Sequence, residues 1–558
     1  MKTVIVGGVA GGATAAARLR RLDEKAEIII LERGEYVSFA NCGLPYFIGG
    51  VIKEKGDLTL QTPAGFKKRF NIDVRVQNEA IKIIPEEKKI SVKNLATGEI
   101  YEESYDNLIL SPGAKAIIPN IKGIESGKVF TLRNIPDTLK IKNYIDSEKP
   151  KSALIIGGGY IGVEMAENLS EAGLKVSIAE LSDHLIASLD FDMAADVHRY
   201  IKSKGISLFL NNAATEIKGN KVILQNGELD ADIIIMSVGV KPETELASDC
   251  GIKLNNRGSI VVNSKMQTNI PGIYAVGDAV ESENFVTKAP SFIPLAGPAN
   301  KQGRIAADNI AGKISEYKGT QGTSVLKLFD MAVASTGLNE KSAKEAGFNY
   351  DKVYTYSASH ASYYPNAKNM SVKVLWDKNS LKILGAQIVG FDGVDKRMDV
   401  IAAAMRFGAK ITDLTKLELS YAPPFGSAKD PVNMVGFVAE NIVNGKVKQF
   451  FWHDVEHLPR DGSVFLLDTR TPTEVLRGKI EGFVNIPLDE LRSRISEIPK
   501  NKPVYVHCHS GLRSYLACCI LSGNGYECYN LAGGWRLYES VINERTVPEY
   551  ICKECNKD

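Results

Sequence analysis

Two cysteines stand in settings that suit thiol chemistry. Cys42 lies in Ser38-Phe39-Ala40-Asn41-Cys42-Gly43-Leu44-Pro45, and the next cysteine along the chain is Cys250. Gly43 and Pro45 suit a tight entry into a helix. Cys42 is then near the helix N-terminus, where backbone N–H groups and the helix dipole favour a thiolate. Free cysteines are often buried and inert, but a preceding nucleotide-binding pattern places this one beside a cofactor. Cys508 opens Cys508-His509-Ser510-Gly511-Leu512-Arg513-Ser514, directly after the apolar run Pro503-Val504-Tyr505-Val506-His507. A cysteine on a loop between strand and helix, with Arg513 at the fifth position after it, sits in a nest of N–H groups. Such a nest stabilises a thiolate and bound sulfur or oxyanions.

The elements that must position Cys42 are legible as repeating patterns. Val4-Ile5-Val6 is a short apolar strand. Gly7-Gly8-Val9-Ala10-Gly11-Gly12 follows, then a helix through Leu22 and a second strand, Glu27 to Leu31, closed by Glu32 and Arg33. This is the strand–turn–helix–strand–acid order of a dinucleotide-binding unit. Gly7 permits the tight turn and Gly12 close helix packing. The helix N-terminus suits a pyrophosphate and Glu32 the ribose hydroxyls. Val9 stands where the pattern has its middle glycine. A second unit runs from Ala153-Leu154-Ile155-Ile156 through Gly157-Gly158-Gly159-Tyr160-Ile161-Gly162 to a strand, Lys175 to Ala179, closed by Glu180. No arginine follows Glu180 closely. A carboxylate there accepts a 2′-hydroxyl and repels a 2′-phosphate, which favours NADH, with NADPH as the alternative. Tyr160 is placed to cover a nicotinamide pocket or simply to pack the turn.

Composition bounds the rest. A chain of 558 residues with 44% hydrophobic and 24% charged residues suggests three or four soluble domains. A net charge of +2 gives no global attraction to nucleic acid or an acidic membrane. No apolar run reaches the length of a membrane span, and the N-terminus runs straight into a strand, so a cytoplasmic location is expected. Of eight cysteines, six fall after position 500, which is not a disulfide framework. Cys518, Cys519 and Cys528 are expected to pack in a core. Cys552 and Cys555 form a lone C-x-x-C and the seven histidines are scattered, so no metal is expected.

Up to about Lys446 the chain resembles pyridine nucleotide–disulfide oxidoreductases. Within them it resembles the coenzyme A disulfide reductases that carry a C-terminal rhodanese domain, a group that includes NADH-dependent persulfide and polysulfide reductases. The resemblance rests on Ser38-Phe39-Ala40-Asn41-Cys42 and on tyrosines in His360-Ala361-Ser362-Tyr363-Tyr364-Pro365 and Leu419-Ser420-Tyr421-Ala422-Pro423-Pro424. It rests also on the Cys508 loop with Leu531-Ala532-Gly533-Gly534-Trp535. The implied fold class is α/β: two Rossmann-like dinucleotide-binding domains, an α+β interface or dimerisation domain, and a C-terminal α/β rhodanese domain. The implied boundaries are 1–149 with 270–322 for the FAD domain, 150–269 for the NAD(P)H domain and 323–446 for the interface domain. A linker at 447–453, the rhodanese domain at 454–545 and a tail at 546–558 complete the chain.

The resemblance also implies roles. FAD falls to Gly7, Val9, Ala10, Gly11, Gly12, Glu32, Arg33, Ser111, Gly113, Gly277 and Asp278, the last on the ribityl chain. NADH falls to Gly157, Gly159, Tyr160, Ile161, Gly162 and Glu180. Cys42 is a single redox thiol, because Phe47 stands where relatives with a C-x-x-x-x-C pair have their second cysteine. Ala10 stands where peroxide-reducing relatives have a histidine. CoA contacts are implied for Thr14, Arg18, Arg21, Ser38, Asn41, Arg69, Asn300 and Lys429. In a homodimer, Tyr363 (or its neighbour Tyr364) and Tyr421 reach the site from the second subunit. The implied reaction is FAD-dependent reduction of CoA disulfide, CoA persulfide or polysulfide by NADH at Cys42, with Cys508 and Arg513 handling sulfane sulfur. The rival readings are an NADH oxidase reducing oxygen at FAD, and a rhodanese domain that acts as a persulfide carrier or sensor.

Overall fold

The computed structural model describes residues 1–546, which form two compact units: Met1–Leu181 with Asn212–Gly322, and Ser182–Asn211 with the chain from Thr323 onward. Cys552 and Cys555 lie outside the described residues.

The first unit holds two parallel sheets. In one, the strands run in the order Ile273–Ala275, Asn107–Leu110, Lys2–Val6, Glu27–Glu32, Asp73–Val76. Val4, Ile5, Ile28 to Leu31 and Leu108 to Leu110 are all buried, as the continuous apolar strands of a parallel sheet require. The strand at Ile273 returns the chain to this sheet after a long excursion, so the domain is discontinuous. The helix Ala10–Leu22 packs on the helix Ala296–Ile310. Gly303 makes that approach close, since a Cβ there would sit 2.3 Å from the Gly11 carbonyl oxygen. The other sheet includes Lys175–Ala179, Ser152–Ile156, Ile233–Met236 and Val129–Thr131, neighbours in that order. The second dinucleotide half thus begins at Val129, upstream of position 150. Val129–Thr131 is too short a strand to advertise itself by periodicity.

The second unit contains an antiparallel sheet ordered Ser324–Leu328, Met331–Gly337, Ile383–Gly390, Asn369–Asp377, Tyr350–Ala358. Helices Val394–Arg406 and Pro431–Val443 accompany it. A further sheet is parallel throughout: Lys448–Phe450, Cys528–Leu531, Val504–His507, Phe465–Asp468, Val484–Asn485. The stretch 447–453, read as a linker, therefore supplies an edge strand of the last domain. Cys518 and Cys528 pack in that domain's core. Cys519 does not: it is exposed, past the edge of the buried face that Ala517 and Cys518 share on the helix Leu512–Gly523.

One buried polar feature ties this unit together. Lys373, in the strand Asn369–Asp377, is fully buried and meets Asp190 at 2.8 Å, Asp192 at 2.8 Å and Glu340 at 2.5 Å. Tyr354 and Trp452 donate to Asp192 at 2.5 and 3.3 Å, and Lys352 reaches Glu340 at 2.6 Å. The three carboxylates have the spacing of a cation site, but the Lys373 ammonium stands among them.

Candidate active site

The two glycine loops have the same construction. Gly7 has φ +93° and Gly157 φ +105°, backbone that side chains with a Cβ rarely adopt. A Cβ on Gly12 would lie 1.9 Å from the Gly7 carbonyl oxygen, and one on Gly162 would lie 2.0 Å from that of Gly157. Each loop is closed by the acid at the end of the second strand. Glu32 accepts from the backbone N–H of Gly8 at 2.9 Å and of Gly34 at 2.8 Å, and Glu180 accepts from Gly158 at 2.6 Å. Val9 has a negative φ, −101°, so the position does not require glycine for a left-handed backbone. At Gly159 a Cβ would meet nothing within 4 Å, so this glycine leaves space over the loop instead of relieving a clash. The helices that follow, Ala10–Leu22 and Tyr160–Glu171, have no side-chain cap, which leaves their first N–H groups for an anion. Both loops fit a dinucleotide pyrophosphate.

Around the first loop, the Gly7 turn sits on the Ser111 carbonyl, and Ser111 Oγ faces Gly11. Gly113 and Gly277 both have left-handed backbone. Asp278 is ion-paired with Arg133 at 2.6 Å, and Arg133 also donates to the Ala114 carbonyl at 2.9 Å. Arg33 is exposed and pairs with Glu243 at 2.8 Å. In the second loop, Tyr160 and Ile161 begin the helix that carries Glu164.

Cys42 is brought next to the first loop by its backbone. Ser38 takes φ +49° and donates its N–H to the Gly8 carbonyl at 2.9 Å, while Leu60 N–H closes on Ser38 at 3.0 Å. A single 3-10 turn, Asn41–Gly43, then leads into the short helix Leu44–Ile48. Cys42 is exposed and Phe47 is buried, so no second thiol adjoins along this segment. The expected thiolate-favouring position is offset by the surroundings. Desolvation and the nearby Glu164 and Asp278 carboxylates push the Cys42 thiol up, while Arg133 pulls it down. A five-residue helix has little dipole to set against two carboxylates.

The residues expected at CoA divide. Thr14 donates to Asn300 at 2.5 Å, which joins two of them. Ser38 and Asn41 flank the Cys42 turn. Arg18 is committed to the buried Asp308 at 2.7 Å, whereas Arg21 and Arg69 are exposed. Lys429 belongs to the second unit and is exposed there. In that unit the Tyr363 and Tyr421 hydroxyls are 2.9 Å apart on exposed side chains. That hydrogen bond raises the Tyr363 phenol pKa. Tyr364 instead packs edge-on against His360, so Tyr363 is the partner of Tyr421.

The second cysteine loop is tightly built. Cys508 is fully buried, and its sulfur accepts from Gly511 N–H at 3.1 Å and from the Ser514 hydroxyl at 3.2 Å. Gly534 closes the loop from behind: its Cβ would lie 2.7 Å from the Cys508 carbonyl oxygen, which accepts from Trp535 N–H at 2.8 Å. Arg513, expected to stabilise charge on the sulfur, is held by both oxygens of Glu474, at 2.7 and 2.6 Å, and keeps that carboxylate down at about 2. Burial pushes His507 down to about 4 and also lowers His509. The residues that sequence patterns did not single out are Arg133, Tyr46 and Glu164. Each acts through a partner distant in sequence or through a side-chain direction.

Two Rossmann-like halves with a thiol beside the first loop define a two-dinucleotide oxidoreductase, and the buried cysteine loop belongs to a separate α/β domain. Residues 1–303 match the pyridine nucleotide-disulphide oxidoreductase family, 323–431 its dimerisation domain and 452–540 the rhodanese-like domain. The chain belongs to the pyridine nucleotide-disulphide oxidoreductase family, whose members use FAD and NAD(P)H, and carries a C-terminal rhodanese-like domain. It is 40% identical over 443 residues to a coenzyme A disulfide reductase of Staphylococcus haemolyticus, spanning 79% of this chain and 100% of that one. Among solved structures, reduced CoADR-RHD of Bacillus anthracis is 52% identical, with TM-score 0.96 and 98% of both chains covered. An NAD-dependent persulfide reductase from A. fulgidus is 36% identical, with TM-score 0.90, covering 96% of this chain and 100% of that one. Among the described residues no helix is long and apolar enough to cross a membrane.

Proposed function

We propose that this protein is an FAD-dependent, NADH-driven reductase of CoA disulfide, CoA persulfide or polysulfide, working through Cys42, with the rhodanese domain carrying sulfane sulfur on Cys508. The observation that carries the reading is the exposed Cys42 thiol, which has no second cysteine in its own segment and is held against the first glycine loop with the buried Phe47 where a resolving cysteine would be. The relatives named for CoA disulfide and persulfide reduction support the choice of acceptor.

In this reading Gly7 to Gly12, Glu32, Ser111, Gly113, Gly277 and Asp278 hold FAD, with Arg33 at its rim. Gly157 to Gly162 and Glu180 hold NADH, the carboxylate selecting it over NADPH. The bound cofactors supply two electrons to the sulfur centre. The Cys42 thiolate attacks CoA–S–S–CoA, forming Cys42–S–S–CoA and releasing CoA–S⁻, which takes a proton from a tyrosine hydroxyl. Two electrons then cleave the mixed disulfide and restore the thiolate. With a CoA persulfide the same attack leaves a Cys42 persulfide, whose reduction releases hydrogen sulfide. Thr14, Arg18, Arg21, Ser38, Asn41, Arg69, Asn300 and Lys429 are the candidate CoA contacts. The Tyr363–Tyr421 pair is the candidate acid, delivered by a second subunit through the dimerisation domain. At Cys508, Gly511 N–H and the Ser514 hydroxyl stabilise the sulfur that carries the cargo. Reactive free thiols of this kind suit the reducing cytoplasm.

The test is NADH oxidation measured with CoA disulfide, CoA persulfide, polysulfide and oxygen as acceptors. The reading requires kcat/KM for a CoA–sulfur acceptor or polysulfide to exceed that for oxygen. Oxygen as the best acceptor makes the protein an NADH oxidase. An isolated persulfide-carrier role would show as sulfur relay from Cys508 with no NADH-dependent reduction. A separate expectation concerns the first loop. Gly12→Ala puts a methyl group into the Gly7 carbonyl, so the purified protein should carry at most about a tenth of the flavin of wild type, read from the ratio of flavin to protein absorbance.

A further inference from the structure

Cys508 is fully buried, with its sulfur held by Gly511 N–H and the Ser514 hydroxyl. Sulfur carried there must be collected by a second thiol, and a tethered thiol acts at roughly millimolar effective concentration. The chain has one dithiol sequence that the reading of Cys508 leaves unused, Cys552-Lys553-Glu554-Cys555. It follows the helix Gly534–Thr546, whose first turn is fixed to the Cys508 loop. Trp535 N–H donates to the Cys508 carbonyl and Arg536 N–H to the His509 carbonyl, both at 2.8 Å.

A groove of about 620 Å³ runs along the same helix. Trp535, Tyr538 and Ile542 form its helical wall and Ile480 faces them. Those three helix positions are spaced three and four apart, so they make one stripe that leads away from the Cys508 loop. Lys479 and Glu539 add charges of both signs to the walls. The sequence Val547-Pro548-Glu549-Tyr550-Ile551-Cys552-Lys553-Glu554-Cys555 matches that surface in kind, with apolar residues first and charges of both signs around the cysteines. Pro548 disfavours helical backbone at Val547, so the sequence favours a change of direction where the groove ends. The lengths also agree. Going back from Thr546 to Trp535 covers about 17 Å of helix, and an extended chain from Thr546 to Cys552 covers about 20 Å. In an extended chain Pro548, Tyr550 and Cys552 share one face.

We infer that residues 547–555 dock in this groove and bring the Cys552–Cys555 dithiol to Cys508, where it removes sulfane sulfur as hydrogen sulfide. The inference rests on Cys508 being a sulfur carrier. One thiolate of the pair attacks the outer sulfur of Cys508–S–SH, so that the Cys508 S–S bond breaks and Cys508 leaves as a thiolate. The other thiolate then attacks the cysteine sulfur of the new persulfide, forming the Cys552–Cys555 disulfide and expelling HS⁻. In sum, Cys508–SSH and two thiols give Cys508–SH, one disulfide and H₂S. The sulfane sulfur is reduced, the thiol pair is oxidised, and the first turnover needs no other reactant.

The experiment is first-turnover sulfide release without NADH, in full-length, flavin-loaded enzyme carrying Cys42→Ser, after mixing with thiosulfate or CoA persulfide. About one sulfide per chain should appear, together with a Cys552–Cys555 disulfide read by peptide mass. Cys552→Ser and Cys555→Ser should each slow the release at least about tenfold, since the tethered thiol's effective concentration is lost. Unchanged release in those variants, or no such disulfide, overturns the inference. Docking has its own readout. Lys479→Cys, at an exposed groove position, should cross-link to Cys552 or Cys555 on oxidation with diamide, and Lys500→Cys, outside the groove, should not. A groove that instead holds the sulfur donor gives no cross-link at position 479, which also overturns the inference. Failure of the carrier reading shows separately, as no sulfur on Cys508 in a chain ending at Thr546.

Discussion

Cys42→Ser is expected to lower NADH-dependent reduction of CoA disulfide by at least about a thousandfold, while NADH still bleaches the bound flavin under anaerobic conditions at the wild-type rate. The size follows from the chemistry. A serine hydroxyl is scarcely ionised at neutral pH and forms no covalent bond to sulfur that two electrons can cleave, so both the attack and the covalent intermediate are lost. No neighbour can substitute. Phe47 is buried, and Cys250 is half-buried with its thiol donating to the Ala247 carbonyl. Steady-state assays paired with single-turnover absorbance would separate the two half-reactions. Oxygen consumption in the same variant divides the rival readings, since an oxidase working at the flavin alone would be unaffected. Sulfur transfer through Cys508 should also survive, because its buried loop is built entirely from its own domain. In the wild-type enzyme the raised Cys42 thiol predicts that single-turnover attack on CoA disulfide accelerates as pH rises from 6 to 8.

The parts of the site that were legible in the sequence are those in which cause and effect are local. Gly7 and Gly12, or Gly157 and Gly162, are five residues apart, and one strand–turn–helix dictates both the turn and the packing. The Cys508 loop is equally local: Gly511 and Ser514 lie within the turn that holds the sulfur. What could not be read is pairing across the chain. The Arg133–Asp278 bond joins residues 145 positions apart, and nothing in either segment's pattern names the other. Arg18, implied as a CoA contact, also pairs with Asp308 on a helix nearly three hundred residues away, which its own segment does not reveal. Glu164 sits in an amphipathic helix where a glutamate has no local reason to face inward. Burial first, and then the neighbouring Glu167, push its carboxyl up. Cys42 illustrates the same limit: its backbone position was legible, but the sign of its electrostatics depended on Glu164 and Asp278, which only the fold brings near.

Lys373 is the sharpest such case, and its replacement should have the largest effect on stability. Its sequence neighbourhood, Ser371-Val372-Lys373-Val374-Leu375-Trp376, reads as an alternating strand with one polar face, which would put Lys373 in water. The structure buries it completely among Asp190, Asp192 and Glu340. Lys373→Met keeps the length of the side chain and removes the charge, leaving three carboxylates with only Lys352 close by on Glu340. Removing one partner of a buried ion network costs about 3–5 kcal/mol, because the remaining charges keep their desolvation penalty. The pH dependence has a definite sign. In wild type the cluster holds Glu340 down at about 2 and raises Lys373 above its ordinary value. Its contribution is therefore present between the unfolded carboxylate and lysine pKa values, fades as pH falls toward 2 and is lost above the lysine range. In Lys373→Met the carboxylates should titrate above their unfolded values, so that protein gains stability as pH falls. The gap between the two proteins in urea denaturation should thus narrow from pH 7.5 to pH 5. Adding Asp192→Asn to Lys373→Met should recover part of the loss, because it removes one uncompensated charge while Tyr354 and Trp452 can still donate to the amide oxygen. Additive single effects in that cycle, or a gap that widens at pH 5, would show that the carboxylates do not depend on Lys373 for their charge.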